Sequence, residues 1–455
     1  MNTLLRKTLT AAKESLGRRV RVGLIGLGTT NSALLEYLCE MKDLCDVTVR
    51  QAGLSRTDIP HTVAEIASDT SHITEDIVFP SPSVRREKLT APHGTEMLCD
   101  YDLLFRSEPE HLFLVSGSDG KSTTVSMASE LLFPRFPDLF TGGNLGVPLW
   151  HADARSSAFL LELSSFTLRY SLPRGGRALL TNVTPNHLDW HADLEEYRST
   201  KLSLIRAADE PILCIDDAVS QMEAKAARVF CLVSLTRTRA QILAEYRTEH
   251  TVTLEDGAIR LDGEIAVSLS GIKHRERHNV IDLASAIALA IDYTDEERIR
   301  EVAAGFSLPN ERCERIEIGG VDYISSSIDT TPLRTRTTLE GLDRRVRLIL
   351  GGRGKGLSPE PLREPIMRYA TRIAIYGEIA DELATFIDSA PELAAIPHRT
   401  FRTLAEATDY ATEGVSKGET VLLSPAATSY GEFRDYIQRG ECFRSIITKN
   451  GSKME

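Results

Sequence analysis

The segment His111-Leu-Phe-Leu-Val-Ser-Gly-Ser-Asp-Gly-Lys-Ser-Thr-Thr124 holds the residues best suited to cradle a phosphate. Leu112 to Val115 read as a buried strand and Gly117-Ser118-Asp119-Gly120 as a turn. Lys121, Ser122 and Thr123 open a helical pattern that continues through Met127, Leu131 and Leu132. A turn between a strand and a helix N-terminus leaves backbone N–H groups unpaired and aims the helix dipole at an anion. Lys121 adds a full positive charge, and the Ser122 hydroxyl can ligate Mg²⁺. Only two residues separate Gly117 from Gly120, where the usual nucleotide-binding loop has four, so a plain tight turn is the competing reading. The Gly-Lys-Ser-Thr run directly after a strand favours a nucleoside triphosphate, and ATP is the expected ligand.

Other chemistry-bearing residues follow at strand ends. Thr141-Gly-Gly-Asn-Leu-Gly-Val-Pro148 is a glycine-rich loop, and Glu162-Leu-Ser-Ser-Phe166 puts a carboxylate at the end of an apolar run. Thr181-Asn-Val-Thr-Pro-Asn-His-Leu-Asp-Trp-His191 comes next, then Tyr197 and Lys201 on a helical pattern. Taken singly, each has a bland reading. A strand-end glutamate is usually a surface residue, His187 could cap a helix, and a lysine is most often solvated.

The elements that must position these residues alternate between strand and helix. Val20 to Ile25 reads as a strand ending in Gly26-Leu-Gly28, followed by a helix through Ala33, Leu34 and Leu38. Val47 to Ala52 and Asp76 to Phe79 read as later strands. This alternation predicts an open, parallel α/β sheet. Asn31 stands where the third glycine of a dinucleotide fingerprint belongs, which favours another nucleotide-like anion over NAD. A second unit begins near Glu108, with Phe159 to Leu163 and Ala178 to Asn182 as short buried strands and His278 to Tyr293 as an alanine-rich helix. A third has strands at Val321–Ile324, Val346–Leu350 and Thr420–Leu423. Ligands of open α/β sheets gather outside the carboxyl ends of the strands, where the polar motifs of this chain lie.

The 455 residues exceed one hydrophobic core and suggest about three domains. A net charge of −12 disfavours broad nucleic-acid binding while leaving room for a local basic pocket. The seven cysteines are scattered without a Cys-x-x-Cys pair, as expected of reduced thiols in a cytoplasmic protein. Lys13, Glu14 and Arg18 interrupt any apolar leader, and no run approaches a membrane span. Small-molecule substrates, no nucleic acid, no membrane and a monomer are expected.

As a set, the short phosphate loop, Gly-Gly-Asn-x-Gly, Glu-Leu-Ser-Ser-Phe, Asn-Val-x-x-x-His-Leu-Asp and the downstream lysine closely resemble the bacterial Mur ligases. The resemblance covers about Val20 to Phe443. It implies an α/β chain of three domains: Rossmann-like and UDP-substrate-binding at 1–108, a central P-loop ATPase-type parallel sheet at 109–307, and Rossmann-like and amino-acid-binding at 308–455. Glu-Leu-Ser-Ser-Phe, together with Leu423-Ser-Pro-Ala-Ala-Thr-Ser429, looks like the branch adding D-glutamate to UDP-N-acetylmuramoyl-L-alanine in peptidoglycan synthesis. Sister ligases for other amino acids, the folate-glutamate ligases and a non-catalytic nucleotide binder are the alternatives.

The resemblance also implies residue roles. Lys121 would grip the ATP phosphates within Gly117, Ser118, Asp119, Gly120, Ser122 and Thr123, with Asn279 and Arg312 at the nucleotide. Ser122 and Glu162 would hold a first Mg²⁺ and His187 a second, beside Lys201 as a carbamylated, carboxylate-like ligand. Thr29, Thr30, Ser55, Arg56, Ser81 and Asn144 would meet the UDP-substrate, with plain turn chemistry as the other reading for Thr29, Thr30 and Ser55. Thr330, Lys355 of Gly351-Gly-Arg-Gly-Lys355, Ser429, Tyr430 and Tyr436 would line the amino-acid site.

Several positions depart from the family pattern. Its usual Asn-Asp-Ser-Lys-Ala-Thr reads Ser325-Ser-Ser-Ile-Asp-Thr330 here, Asp119 replaces asparagine, and Glu311 precedes Arg312 where histidine is typical. His-Asn-x-x-Asn becomes His278-Asn-Val-Ile-Asp282, after an unusual Lys273-His-Arg-Glu-Arg277 insertion. These changes bear on ATP geometry and affinity rather than on the reaction.

Overall fold

The computed structural model describes the chain except residues 52–59, 61–62, 68, 70–71, 83, 145–146, 154–155, 189, 307–312, 355–356 and 452–455, and the side chains of 29, 450 and 451. It is an α/β protein with three sheets. The first orders β3 (Glu65–Ala67), β2 (Cys45–Arg50), β1 (Val20–Ile25), β4 (Ile77–Pro80) and β5 (Glu96–Met97), all parallel. Apolar runs make this possible: a strand covered on both faces needs no polar alternation, and Val22, Leu24 and Ile25 are fully buried.

The second sheet has nine strands: β6 (His111–Ser116), β7 (Phe140–Gly143), β8 (Ala158–Glu162), β9 (Arg177–Leu180), β10 (Glu210–Cys214), β11 (Val229–Ser234), β12 (Thr248–Glu255), β13 (Ala258–Leu261) and β14 (Glu264–Ser268). In space they run β14-β13-β12-β11-β10-β9-β6-β8-β7. β7 through β12 are parallel, while β13 and β14 extend the edge as an antiparallel meander. The third sheet runs β15 (Glu314–Ile318), β16 (Val321–Ser325), β20 (Thr420–Leu423), β17 (Val346–Gly351), β18 (Ala370–Tyr376) and β19 (His398–Phe401), with β15 alone antiparallel. Its two faces bury separate cores: Leu348 and Leu350 point into one, and Ile349 between them into the other.

The chain divides into two compact units. One holds residues 1–183, 198–272 and 281–304 with the first two sheets; the other holds residues 184–197, 273–280 and 305–455 with the third. Strands expected from the sequence appear within a few residues of their predicted bounds, although the alanine-rich helix runs Arg277–Leu289 and stops short of Tyr293. The sheets are parallel-dominated, as expected of an α/β chain, and the β12–β14 meander and β15 add antiparallel strands at sheet edges. Among the described residues no helix is long and apolar enough to cross a membrane.

Candidate active site

In the first unit, β6 ends at Ser116 and the helix Lys121–Leu132 starts five residues later, so the whole turn is Gly117 to Gly120. Neither glycine tolerates a side chain. Gly117 has φ +147° and a Cβ there would lie 1.9 Å from Thr181 Oγ1; Gly120 has φ +81° and its Cβ would lie 2.3 Å from Asp282 Oδ1. The turn is clasped from below. Asn182 Oδ1 accepts from Asp119 N–H at 3.0 Å, Thr181 Oγ1 and Asn182 Nδ2 donate to Asp119 O at 2.6 and 3.1 Å, and Ser118 N–H donates to Asn182 O at 3.0 Å. Lys121 Nζ folds over the turn, donating to Gly117 O (2.9 Å) and Ser118 O (3.0 Å).

Glu162, at the end of β8, is buried beside this turn. Its Oε2 accepts from Ser122 Oγ at 2.7 Å and its Oε1 from Asn144 Nδ2 at 2.9 Å. Ser122 and Glu162, predicted to share a cation, are therefore adjacent. Asn144, expected at the UDP-substrate, lies against Glu162 and also donates its N–H to Glu162 O at 3.0 Å.

Lys201 sits on the helix Leu194–Ala207 and is only 2% exposed, so the solvated-lysine reading fails. Its Nζ donates to Gly117 O at 2.8 Å and reaches Ser116 Oγ at 3.4 Å. Burial, then the charge of Lys121, pushes this amine well below the ordinary lysine range against the pull of Asp119 and Glu162.

Among the described residues no three His, Cys, Asp or Glu side chains form a metal cage. Mg²⁺ does not require one, because it keeps several waters and takes one or two protein oxygens beside substrate phosphates. The Ser122 hydroxyl and Glu162 carboxylate, 2.7 Å apart next to the Gly117–Gly120 turn, fit that donor set.

At the first sheet, Ser81 follows β4 and Gly26-Leu27-Gly28 follows β1, and the two meet: Ser81 N–H donates to Ile25 O at 2.8 Å. The helix Thr29–Glu40, which includes Thr30, starts from the same place, with Gly28 as its N-cap. Ser55 and Arg56 lie outside the described residues.

In the second unit, three strand-end loops converge. Ser326 N–H donates to Leu423 O (2.8 Å), Gly351 N–H to Pro425 O (2.8 Å), and Arg353 and Thr428 exchange backbone bonds of 2.9 Å. These loops carry Thr330, Ser429 and Tyr430, and Ser327 Oγ donates to the carbonyl of Tyr436 at 2.7 Å. Ser429 is buried while Tyr430 is exposed. Ser325, Ser326 and Ser327 are fully buried, so the altered segment packs as small core residues. Lys355 and Arg312 lie outside the described residues.

His187 belongs to the second unit's segment 184–197 and adopts φ +54°, rare for a non-glycine residue. Its N–H donates to Asn186 Oδ1 at 2.9 Å, and its carbonyl accepts from Trp190 and His191 N–H at 3.0 Å. The next helix begins only at Leu194, so His187 is not a helix cap. Asn279, in the segment 273–280, is buried and donates to Glu276 Oε2 at 3.0 Å. The sequence reading missed Thr181, Asn182 and Asp282 as supports of the phosphate turn. Asn182 and Asp282 stood in recognised motifs, but only contact distances reveal what they touch.

A family profile described as the Mur ligase middle domain matches residues 115–290, the stretch that builds the phosphate turn, Glu162 and Lys201. A relative from Acetivibrio thermocellus, described as a UDP-N-acetylmuramoylalanine--D-glutamate ligase, is 30% identical over 451 residues, covering 94% of this chain and 96% of its own. The chain belongs to the Mur ligase family. Another relative of that description, from Clostridium tetani, is 27% identical over 457 residues with the same coverage. Among solved structures, the UDP-N-acetylmuramate-alanine ligase MurC from Thermotoga maritima superposes with a TM-score of 0.61 at 16% identity, over 96% of this chain and 100% of its own. That likeness bears on the Mur ligase fold. As a Mur ligase the protein is an enzyme, a ligase.

Proposed function

We propose that this Mur ligase uses ATP to add D-glutamate to UDP-N-acetylmuramoyl-L-alanine, making a peptidoglycan precursor as a cytoplasmic monomer. The observation that carries the reading is the phosphate cradle of Gly117–Thr123, with Ser122 bonded to Glu162 and Lys201 buried behind it. Identity of 30% with a relative named for D-glutamate supports the choice of amino acid.

A carboxylate and an amine do not condense unaided in water. In the proposed reaction the L-alanyl carboxylate attacks the γ-phosphorus of ATP, the bond to the β–γ bridging oxygen breaks, and an acyl phosphate and ADP result. The neutral amine of D-glutamate attacks the acyl carbon, and the tetrahedral intermediate expels inorganic phosphate as the amine loses its proton. Such chemistry calls for charge neutralisation and in-line positioning more than for a protein nucleophile. Lys121 and the N–H groups of Ser118 to Thr123 would bind the β- and γ-phosphates, with Asn279 and Arg312 at the nucleotide. Two Mg²⁺ ions, when bound, would neutralise phosphate charge. Ser122 and Glu162 are the proposed holders of one ion, His187 and Lys201 of the other.

CO₂ adds only to a neutral amine, and the low proton affinity of Lys201 suits it to carry the carbamate. Thr29, Thr30, Ser55, Arg56, Ser81 and Asn144 are proposed for the UDP-substrate. Thr330, Lys355, Ser429, Tyr430 and Tyr436 are proposed for D-glutamate. Each ligand would thus be served chiefly by one of three domains, 1–108, 109–307 and 308–455.

The test is phosphate release with Mg-ATP, bicarbonate and UDP-N-acetylmuramoyl-L-alanine, comparing D-glutamate with L-glutamate, L-alanine and meso-diaminopimelate. Release with D-glutamate alone, and a product heavier by one glutamyl residue, is expected. Release with another amino acid would move the protein to a sister activity; no release with any would favour a non-catalytic nucleotide binder.

A further inference from the structure

Asp329 is a buried carboxylate, 5% exposed, in the loop after β16. The usual family segment carries alanine here. Burying a carboxylate is costly unless it is hydrogen-bonded, so its partners are informative. Two hydroxyls donate to the same oxygen: Thr338 Oγ1 and Ser424 Oγ, each 2.7 Å from Oδ2. Ser424 is fully buried just past β20, and Thr338 lies on the helix Pro332–Leu342. Thr335, one turn before Thr338 on that helix, donates to Ser424 O at 3.1 Å, and its Oγ1 lies 2.9 Å from Ser424 Oγ. A hydroxyl has one proton, and Ser424 gains most by giving it to the carboxylate.

The carboxylate thus joins three elements: the loop leading into Thr330, the helix behind it, and the loop leading from Ser424 to Ser429. Beyond Ser424 that second loop turns through Ala426 at φ +59°, a conformation that alanine holds only when its surroundings fix it. Across the loops, the fully buried Arg439 makes the matching clasp, donating to Ser327 Oγ (3.0 Å), Ser327 O (2.7 Å) and Ala427 O (3.0 Å). Two buried charges of opposite sign therefore pin the same pair of loops at separate points.

We propose that Asp329 is a positioning residue that fixes the relative placement of Thr330 and Ser429, and so sets the affinity for the incoming amino acid. The inference rests on the proposed placement of Thr330 and Ser429 at the amino-acid site, and on the D-glutamate reading for the identity of that amino acid. Because both donors converge on one oxygen, asparagine can replace the carboxylate with its amide oxygen, whereas alanine cannot.

The test compares Asp329→Asn and Asp329→Ala in the full chain. The alanine variant is expected to raise the KM for D-glutamate about tenfold, leaving KM for ATP and for the UDP-substrate within about twofold. The asparagine variant is expected to stay near the parent protein. Backbone hydrogen exchange gives a second readout independent of turnover: faster exchange at 328–331 and 424–430 in Asp329→Ala, restored in Asp329→Asn. Unchanged exchange in both loops, or a rise in all three KM values together, would overturn the proposal. If the parent protein uses another amino acid, the D-glutamate reading falls, and the same KM split with that amino acid still decides the role of Asp329.

Discussion

At the scale of single residues, the group with the clearest chemical consequence is Lys201. Its Nζ donates to the Gly117 carbonyl, and burial pushes its proton affinity down. A lysine that needed only to neutralise phosphate would gain from staying charged. An amine whose proton affinity is lowered by burial, held 2.8 Å from the phosphate-turn carbonyl, is instead suited to take up CO₂. Removing CO₂ and bicarbonate from the assay should therefore lower ligation. Lys201→Ala should lose at least about two orders of magnitude in kcat, the scale seen when a preorganised charge-stabilising group is removed from an active site. Acetate or formate should restore part of the activity by supplying the missing carboxylate, and a carbon-13 carbamate signal should be present in the parent protein and absent from the variant. Full activity in CO₂-free buffer would remove the carbamate from the mechanism. Lys201 could be singled out from sequence only through its place in a set of motifs, because its burial depends on packing that local pattern does not encode.

At the scale of elements, the phosphate turn illustrates what sequence makes legible and what it hides. The strand, the Gly117–Gly120 turn and the helix starting at Lys121 are contiguous, so their order and bounds could be read from apolar periodicity and glycine placement. What holds the turn in shape comes from far along the chain. Asp282 is buried beneath Gly120, and its Oδ1 lies 3.4 Å from Thr124 Oγ1 across 158 residues of sequence. Gly120→Ala would force a Cβ into this carboxylate and hold alanine at φ +81°. It should destabilise the protein by about 2 kcal/mol or more and weaken binding of an ATP analogue. Asp282→Ala in that background removes the clash but not the backbone strain, so it should recover part of the loss. Urea unfolding and titration calorimetry on the two single variants and the double variant would measure this coupling, and strict additivity would mean that the carboxylate does not shape the turn. The β12–β14 meander is local by contrast: its pairing is set by the tight turns at Asp256-Gly257 and Asp262-Gly263, a short-range hairpin signal at the end of a parallel pattern.

At the scale of the whole molecule, stability against pH should carry the mark of one buried acid. Asp100 begins the helix Asp100–Arg106 and is almost fully buried; burial raises its carboxyl to about 7, with Asp102 adding to the rise and the Tyr101 N–H opposing it. In the unfolded chain the same group ionises near 4. Between those two values the folded protein binds one proton more than the unfolded chain, so stability falls as pH rises through this window and levels off above about 7. Asp76, held well below the usual carboxylate range by Arg18 and Arg21, acts in the opposite direction at lower pH: its contribution is present above about 4 and lost on acidification. Of these two groups, Asp76 thus favours the folded state above about pH 4 and Asp100 favours it below about pH 7. Asp100→Asn keeps the acceptor for the Tyr101 N–H, 3.1 Å away in the parent protein, while abolishing the titration. The variant should match the parent near pH 4 and exceed it progressively up to pH 8, by at most about 4 kcal/mol. Melting temperatures measured across that range decide the point: a constant offset between variant and parent would mean that Asp100 is ionised in the folded state throughout, and that the fold tolerates the buried charge.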